Sequence, residues 1–210
     1  MGVAMSSFKH FINTQKVFTE SDNKKIAVFT FGRFNPMTKG HQKLIDSVIQ
    51  TANQYQGSPY IFLSHSNDSQ KKDPTKIKNP LSYDVKFDLM QEAFPQAPLV
   101  KDQSVRTPHD TFDFFADKNY TDVYFVVGSD RIEEFKRRWV PYAFEYFDNA
   151  ALISAGTRDP DAEGVAGMSA TKAREAAIEG NIAKFRAATG WSGEFVNKLY
   201  HQVRKGLGVE

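Results

Sequence analysis

In the run GRFNPMTKGH (32–41), Arg33, Asn35, Thr38 and His41 crowd a short turn between an apolar stretch and an amphipathic one. Gly32 lets backbone approach a ligand, and Pro36 stiffens the bend. If a helix opens near Gly40, its first amides and the positive end of its dipole favour a phosphate group. Thr38 and His41 then point the same way and can donate hydrogen bonds to one phosphate. A plain strand-to-helix connection with His41 as a cap accounts for the same residues, so the turn alone leaves both readings open.

A second run, GMSATKAREAA (167–177), sets Ser169 as an N-cap with Thr171, Lys172 and Arg174 in the first turn. Cations there oppose the helix dipole, and an anion at the helix start would reverse the sign of that conflict. Hydroxyls, amides and a guanidinium fork could clamp terminal phosphates; a solvated basic helix start is the common alternative. Gly128 and Asp130 follow another apolar run, where a carboxylate can bind a ribose hydroxyl or a metal, or cap the next helix, its commoner use. Lys71 and Lys72, with Lys76 and Lys78, make either a solvated loop or a lid over phosphates. His65 could reach the same region, whereas His10, His109 and His201 read as surface or capping residues.

Several chemistries are excluded. The chain has no cysteine, which removes disulfides, thiolate metal sites and a cysteine nucleophile. No P-loop or G-x-G-x-x-G run is present, and no His, Asp and Glu spacing suggests a permanent metal site. A net charge of +2 gives no global nucleic-acid signal. No apolar run approaches the roughly 20 residues of a membrane helix, so the cytoplasm is the expected location. Met1-Gly2 with Ser6 fits the loose myristoylation pattern, but no second membrane signal accompanies it, and lipidation is not expected.

The elements that must position these residues follow from hydrophobic period. KIAVFTF (25–31), PYIFLSHS (59–66), APLVKD (97–102), TDVYFVVGSD (121–130) and NAALISAG (149–156) read as strands. Helices are expected at 40–54, at 81–94 behind Ser82, at 107–119 behind Thr107, over RIEEFKRRW (131–139), and through most of 169–208. This alternation predicts an α/β, Rossmann-like, doubly wound parallel sheet of five strands, helices on both faces and a C-terminal helical extension. Ligands of such sheets sit beyond the carboxyl ends of the strands, where the polar runs fall. The expected organisation is a lead-in at 1–24, a main domain at 25–180, and a helical extension of that domain at 181–210.

With those residues in place, the chain resembles the nucleotidylyltransferase superfamily that carries H/T-x-G-H and I-S-S-T-x-x-R signatures. GRFNPMTKGH matches the first, with Thr38 where many members have histidine, a substitution shared with pantetheine-phosphate adenylyltransferases. MSATKAR matches the second, with Met168 and Ala170 as variants. Within the superfamily it looks most like nicotinamide mononucleotide adenylyltransferases, through GRFNP, GSDRIEEF and SHSNDSQKK. The stretch SAGTRDPDAEGVAGMSATKAR is similar to phage-encoded members, which implies a host-cytoplasm setting. The resemblance covers about residues 25 to 180. VRTPHDTFDFF lacks a clear counterpart of the tryptophan segment that shapes the nicotinamide pocket in eukaryotic members.

The resemblance implies in-line attack of an acceptor phosphate on the α-phosphorus of a nucleoside triphosphate, most simply ATP, with loss of pyrophosphate. His41, Thr38 and Arg174 would be catalytic. Gly32, Arg33, Phe34, Asn35, Gly40, Lys72, Gly128, Asp130, Ser169 and Thr171 would bind nucleotide or phosphate. Magnesium would arrive with the nucleotide. The acceptor would be a phosphomonoester, nicotinamide mononucleotide first, with cytidylyl transfer, phosphopantetheine adenylylation and a non-catalytic nucleotide-binding regulator as alternatives. Neither nucleic acid nor membrane is an expected partner, and the terminal helices could build a homo-oligomer.

Overall fold

The structure, a computed structural model, describes residues 24–156 and 168–210. All but Lys24 of the lead-in expected at 1–24, and most of the TRDPDAEGVAGMS stretch, lie outside the described residues. Four strands, β1 (Ile26–Gly32), β2 (Ser58–Leu63), β3 (Asp122–Val127) and β4 (Asn149–Ser154), form one parallel sheet in the order β2-β1-β3-β4.

The sheet has four strands, not five. The expected APLVKD strand makes a single parallel bridge, Leu99 to Ile61, beside β2. Ile61 N–H donates to the Pro98 carbonyl at 2.9 Å, and Val100 N–H donates to Ile61 O at 3.0 Å. Pro98 and Pro59 have no N–H to extend the ladder backward, and forward of it Asp102 N–H donates to Tyr83 Oη at 3.2 Å, so the pairing stops where it starts.

Side-chain alternation along β1 divides the core. Ala27 and Phe29 pack with Phe62, Phe125 and Trp139 on one face, whereas Val28 meets Val48 and Ala52 on the other. Phe29 stacks on Phe125 at a centroid distance of 4.5 Å, locking neighbouring strands side chain to side chain. Helices α1 (Gln42–Tyr55), α2 (Tyr83–Ala93), α6 (Ala170–Ile178), α7 (Ile182–Thr189) and α8 (Gly193–Leu207) cover one side. Helices α3 (Thr111–Ala116), α4 (Ile132–Arg138) and α5 (Val140–Ala143) cover the other.

Two helix expectations change. The one at 107–119 shortens to α3, because the Asp110 carboxylate accepts from the N–H groups of Arg106 at 2.8 Å and Thr107 at 2.7 Å and holds them in a turn. The helical run after Ser169 breaks at Gly180, whose φ of +71° suits glycine, and Asn181 caps α7 by accepting from Lys184 N–H. No helix among the described residues is long and apolar enough to cross a membrane.

Candidate functional site

The turn after β1 is built from the inside outward. Phe34 has a positive φ of 43° and is buried. Its ring fills the space over Gly32: a Cβ at that glycine would lie 2.4 Å from Phe34 Cε2. Glycine is therefore needed here to leave room for the Phe34 ring. The Phe34 ring in turn packs on His41, centroids 4.8 Å apart. Buried Asn35 donates through Nδ2 to Leu81 O at 3.1 Å and accepts from Leu81 N–H at 2.9 Å, pinning the turn to the start of α2. The Asn35–Pro36 peptide is cis.

His41 closes a 3-10 turn, Lys39–His41, that contains Gly40 and leads into α1. Its Nδ1 accepts from the Thr38 backbone N–H at 2.9 Å, and the Thr38 hydroxyl lies 3.1 Å from the same nitrogen. The Thr38 carbonyl also lies 3.2 Å from Nδ1, but the N–H contact is shorter and a backbone N–H can only donate, which favours Nδ1 as acceptor and the proton of the neutral ring on Nε2. Thr38 is fully buried beneath the imidazole. It holds the ring, rather than standing beside it at the surface of the turn.

The second run arrives at the same place. Ser169 caps α6 by accepting from Lys172 N–H, and Arg174 reaches back across the fold. Arg174 Nη1 donates to Asn35 O at 2.9 Å, and Nη2 donates to Thr171 Oγ1 at 3.1 Å. Burial, then the neighbouring Arg33, lowers the pKa of this guanidinium from its usual value, although arginine remains charged. Arg33 is exposed, so two cations flank the turn at short range. Trp191 Nε1 adds a further tie, donating to Met37 O at 3.2 Å.

The remaining candidates sit around this centre with fewer ties. Gly128 precedes a 3-10 turn, Ser129–Arg131, and a Cβ there would meet Asp130 Oδ1 at 2.6 Å. Asp130 is exposed and caps nothing: the N-cap positions of that turn and of α4 are Gly128 and Arg131. Lys72 is exposed in the loop after β2. That loop is organised by Asp68, which takes Lys71 Nζ at 2.8 Å and the N–H groups of Lys78 at 3.2 Å and Asn79 at 2.6 Å. Burial works against the Asp68 charge, but Lys71 and those N–H groups outweigh it and hold the pKa below the usual value.

One residue was missed by sequence reasoning. Lys86 on α2 is fully buried, donating through Nζ to Ser64 O and, at 3.4 Å, to Ser64 Oγ at the carboxyl end of β2. Burial pushes its pKa down to about 8. The signal was positional: Tyr83, Phe87 and Met90 define the buried stripe of α2, and Lys86 falls on it.

Two cavities open at the surface, and neither is lined by His41, Thr38 or Arg174. One of about 730 Å³ is lined by Lys39, Gln42, Lys43, Asp46, Ser154 and Gly156, between α1 and the end of β4. Another of about 530 Å³ is lined by Arg131, Arg137, Arg138, His109 and Tyr142. Both fall in the size range of small-molecule sites. A family model described as cytidylyltransferase-like matches residues 29–176, which span both polar runs. No curated protein matches the chain at a significant level.

Proposed function

Because the chain belongs to the cytidylyltransferase-like family, we propose that it transfers AMP from ATP to a phosphomonoester, nicotinamide mononucleotide foremost, to give NAD and pyrophosphate. Membership supports nucleotidylyl transfer in general; the base and the acceptor are the finer part of the proposal. The observation that carries it is the bond from Arg174 to Asn35 O, which brings the second phosphate-suited run onto the turn that carries His41.

In this reading an acceptor phosphate oxygen attacks the α-phosphorus in line. The new P–O bond forms as the bond to the bridging oxygen breaks, and pyrophosphate leaves with that electron pair. The protein contributes position and charge, not a nucleophile. The Nε2–H of His41 donates to the α- and β-phosphates, with Thr38 and Phe34 fixing the ring. Arg174, after serving Asn35 and Thr171, has further N–H groups for the departing phosphates. Ser169, Thr171 and the amides around Gly40 would complete that grip, with Arg33 and Lys72 neutralising charge from the rim.

The cavity beside α1, which Lys39 of the β1 turn lines, has room for a nucleoside. Gly128 and Asp130 lie between β3 and Arg131, where a carboxylate can meet a ribose hydroxyl. Magnesium would arrive with the nucleotide. Magnesium, when bound, neutralises phosphate charge.

The test is a pyrophosphate-release screen of four nucleoside triphosphates against nicotinamide mononucleotide, nicotinate mononucleotide, phosphopantetheine and choline phosphate. Release with ATP and nicotinamide mononucleotide is expected. Release only with another pair would reassign the substrates, and none with any pair would defeat the transferase reading.

A further inference from the structure

Lys86 is a buried amine with no carboxylate among its hydrogen-bond partners, which are the Ser64 carbonyl and hydroxyl. An isolated buried cation is unfavourable unless something of opposite charge completes it. Ser64 connects this ammonium to the candidate site, because its N–H donates at 2.8 Å to the carbonyl of Gly32, the residue that opens the turn carrying His41. The same helix start also holds that turn through Leu81 and Asn35. The cation is therefore two hydrogen bonds from Gly32, the residue that opens the turn carrying His41 and Asn35.

We propose that Lys86 is a positioning residue whose buried ammonium supports the end of β2 and is completed electrostatically by the polyphosphate of the bound nucleotide, so that nucleotide binding and protonation of Lys86 favour one another. This rests on the polyphosphate reading of the turn, and it adds a proton to the binding equilibrium. The coupling is reciprocal: an anion near the amine stabilises its charged form, and the charged form strengthens anion binding.

The surrounding groups leave Lys86 as the one that titrates in the relevant window. His65, on the end of β2, feels Lys86 directly, and its pKa is lowered by burial, with Arg106 and Lys86 adding to the effect. Tyr83, on the same helix and stacked on His65 at 3.8 Å, has its pKa raised by burial. Asp84 and Asp102 are the nearby acids, and the pKa of Asp102 is lowered by its bonds to Ser104. Arg33 and Arg174 in the turn stay cationic. On the side facing α8 the charged groups are the ion pair of Glu92 and Lys198. Between pH 7 and 9.5 the amine near pH 8 is the group expected to change charge.

The experiment is a lysine side-chain NMR titration of the whole protein, with the Lys86 signal assigned by its loss in Lys86→Arg, run alone and with saturating ATP or pyrophosphate. ATP affinity is measured alongside by calorimetry from pH 7 to 9.5. The expected result is a midpoint near 8 in the free protein that rises by roughly one unit or more with ligand. ATP binding should then weaken by about tenfold over that pH range in the parent. Lys86→Arg should keep tight binding across it, and Lys86→Met should bind weakly at every pH. A merely structural lysine would not give a ligand-dependent midpoint. A midpoint unmoved by both ligands, or parent affinity that is flat with pH, overturns the proposal while leaving the transferase reading intact. Failure of ATP and pyrophosphate to bind at all overturns both.

Discussion

Replacing Gly32 with alanine tests how the imidazole is held. The new Cβ would stand 2.4 Å from Phe34 Cε2 and 2.9 Å from Cζ. Carbon atoms at rest sit about 3.5–4.0 Å apart, so the ring must retreat by about 1 Å. Gly32 itself does not occupy the left-handed region, so alanine is tolerated by the backbone and the ring collision is the whole perturbation. Phe34 is buried between Gly32 and His41, and its retreat presses on the imidazole 4.8 Å away. Overpacking of this size destabilises by about 1–3 kcal/mol, and a displacement of about 1 Å at a transition-state donor lowers turnover by roughly 10²-fold. Thermal denaturation and pyrophosphate release, measured on the same preparation, read the two effects separately. A clear fall in Tm with unchanged kcat would refute the idea that Phe34 carries the position of His41.

Other perturbations have equally definite outcomes. His41→Ala should lower kcat by roughly 10²–10³-fold while circular dichroism shows the fold intact; full turnover would remove the imidazole from the chemistry. Arg174→Ala should weaken ATP binding more than binding of a monophosphate acceptor, and equal losses in calorimetry would count against its assignment to the triphosphate. Stability should depend on pH through Lys86, whose pKa falls from 10.5 to about 8 on folding. Between those values the unfolded chain binds more protons, so stability rises with pH, by about 3 kcal/mol at the limit. Tyr83 and the half-buried Tyr60 and Tyr124, with Tyr60 raised to about 12, reverse the trend above about pH 10. Urea titrations from pH 7.5 to 10 should show the rise in the parent and lack it in Lys86→Met.

Much of the fold was legible because continuous apolar runs such as IAVFTF and DVYFVV admit few structures other than buried parallel strands. APLVKD carried the same hydrophobic signal, but Pro98 on one side and the loss of Asp102 N–H to Tyr83 on the other limit the ladder, and both depend on register with Ile61. Thr107 and Asp130 looked like caps by residue type. The cap of α3 instead falls to Asp110, whose carboxylate reaches two upstream amides, a choice set by the path of the preceding loop.

The candidate site divides along the same line. His41, Ser169 and Arg174 could be picked out by local helix-start chemistry, and the contact that joins them spans 139 residues of sequence separation. Thr38 was identified by type but turns inward to His41 Nδ1, a direction that only the packed turn defines. Lys86 stayed hidden because lysine on a helix normally points to water, and its burial arises from Ser64 at the far end of another element.

The most direct measurement follows the phosphorus atoms. With ATP labelled at the α-phosphate in one reaction and at the γ-phosphate in another, the α label should appear in the phosphomonoester acceptor as a new dinucleotide, and the γ label in pyrophosphate. Release of the γ label as inorganic phosphate, or retention of both labels in ATP by folded protein that binds it, would contradict nucleotidylyl transfer by His41 and Arg174.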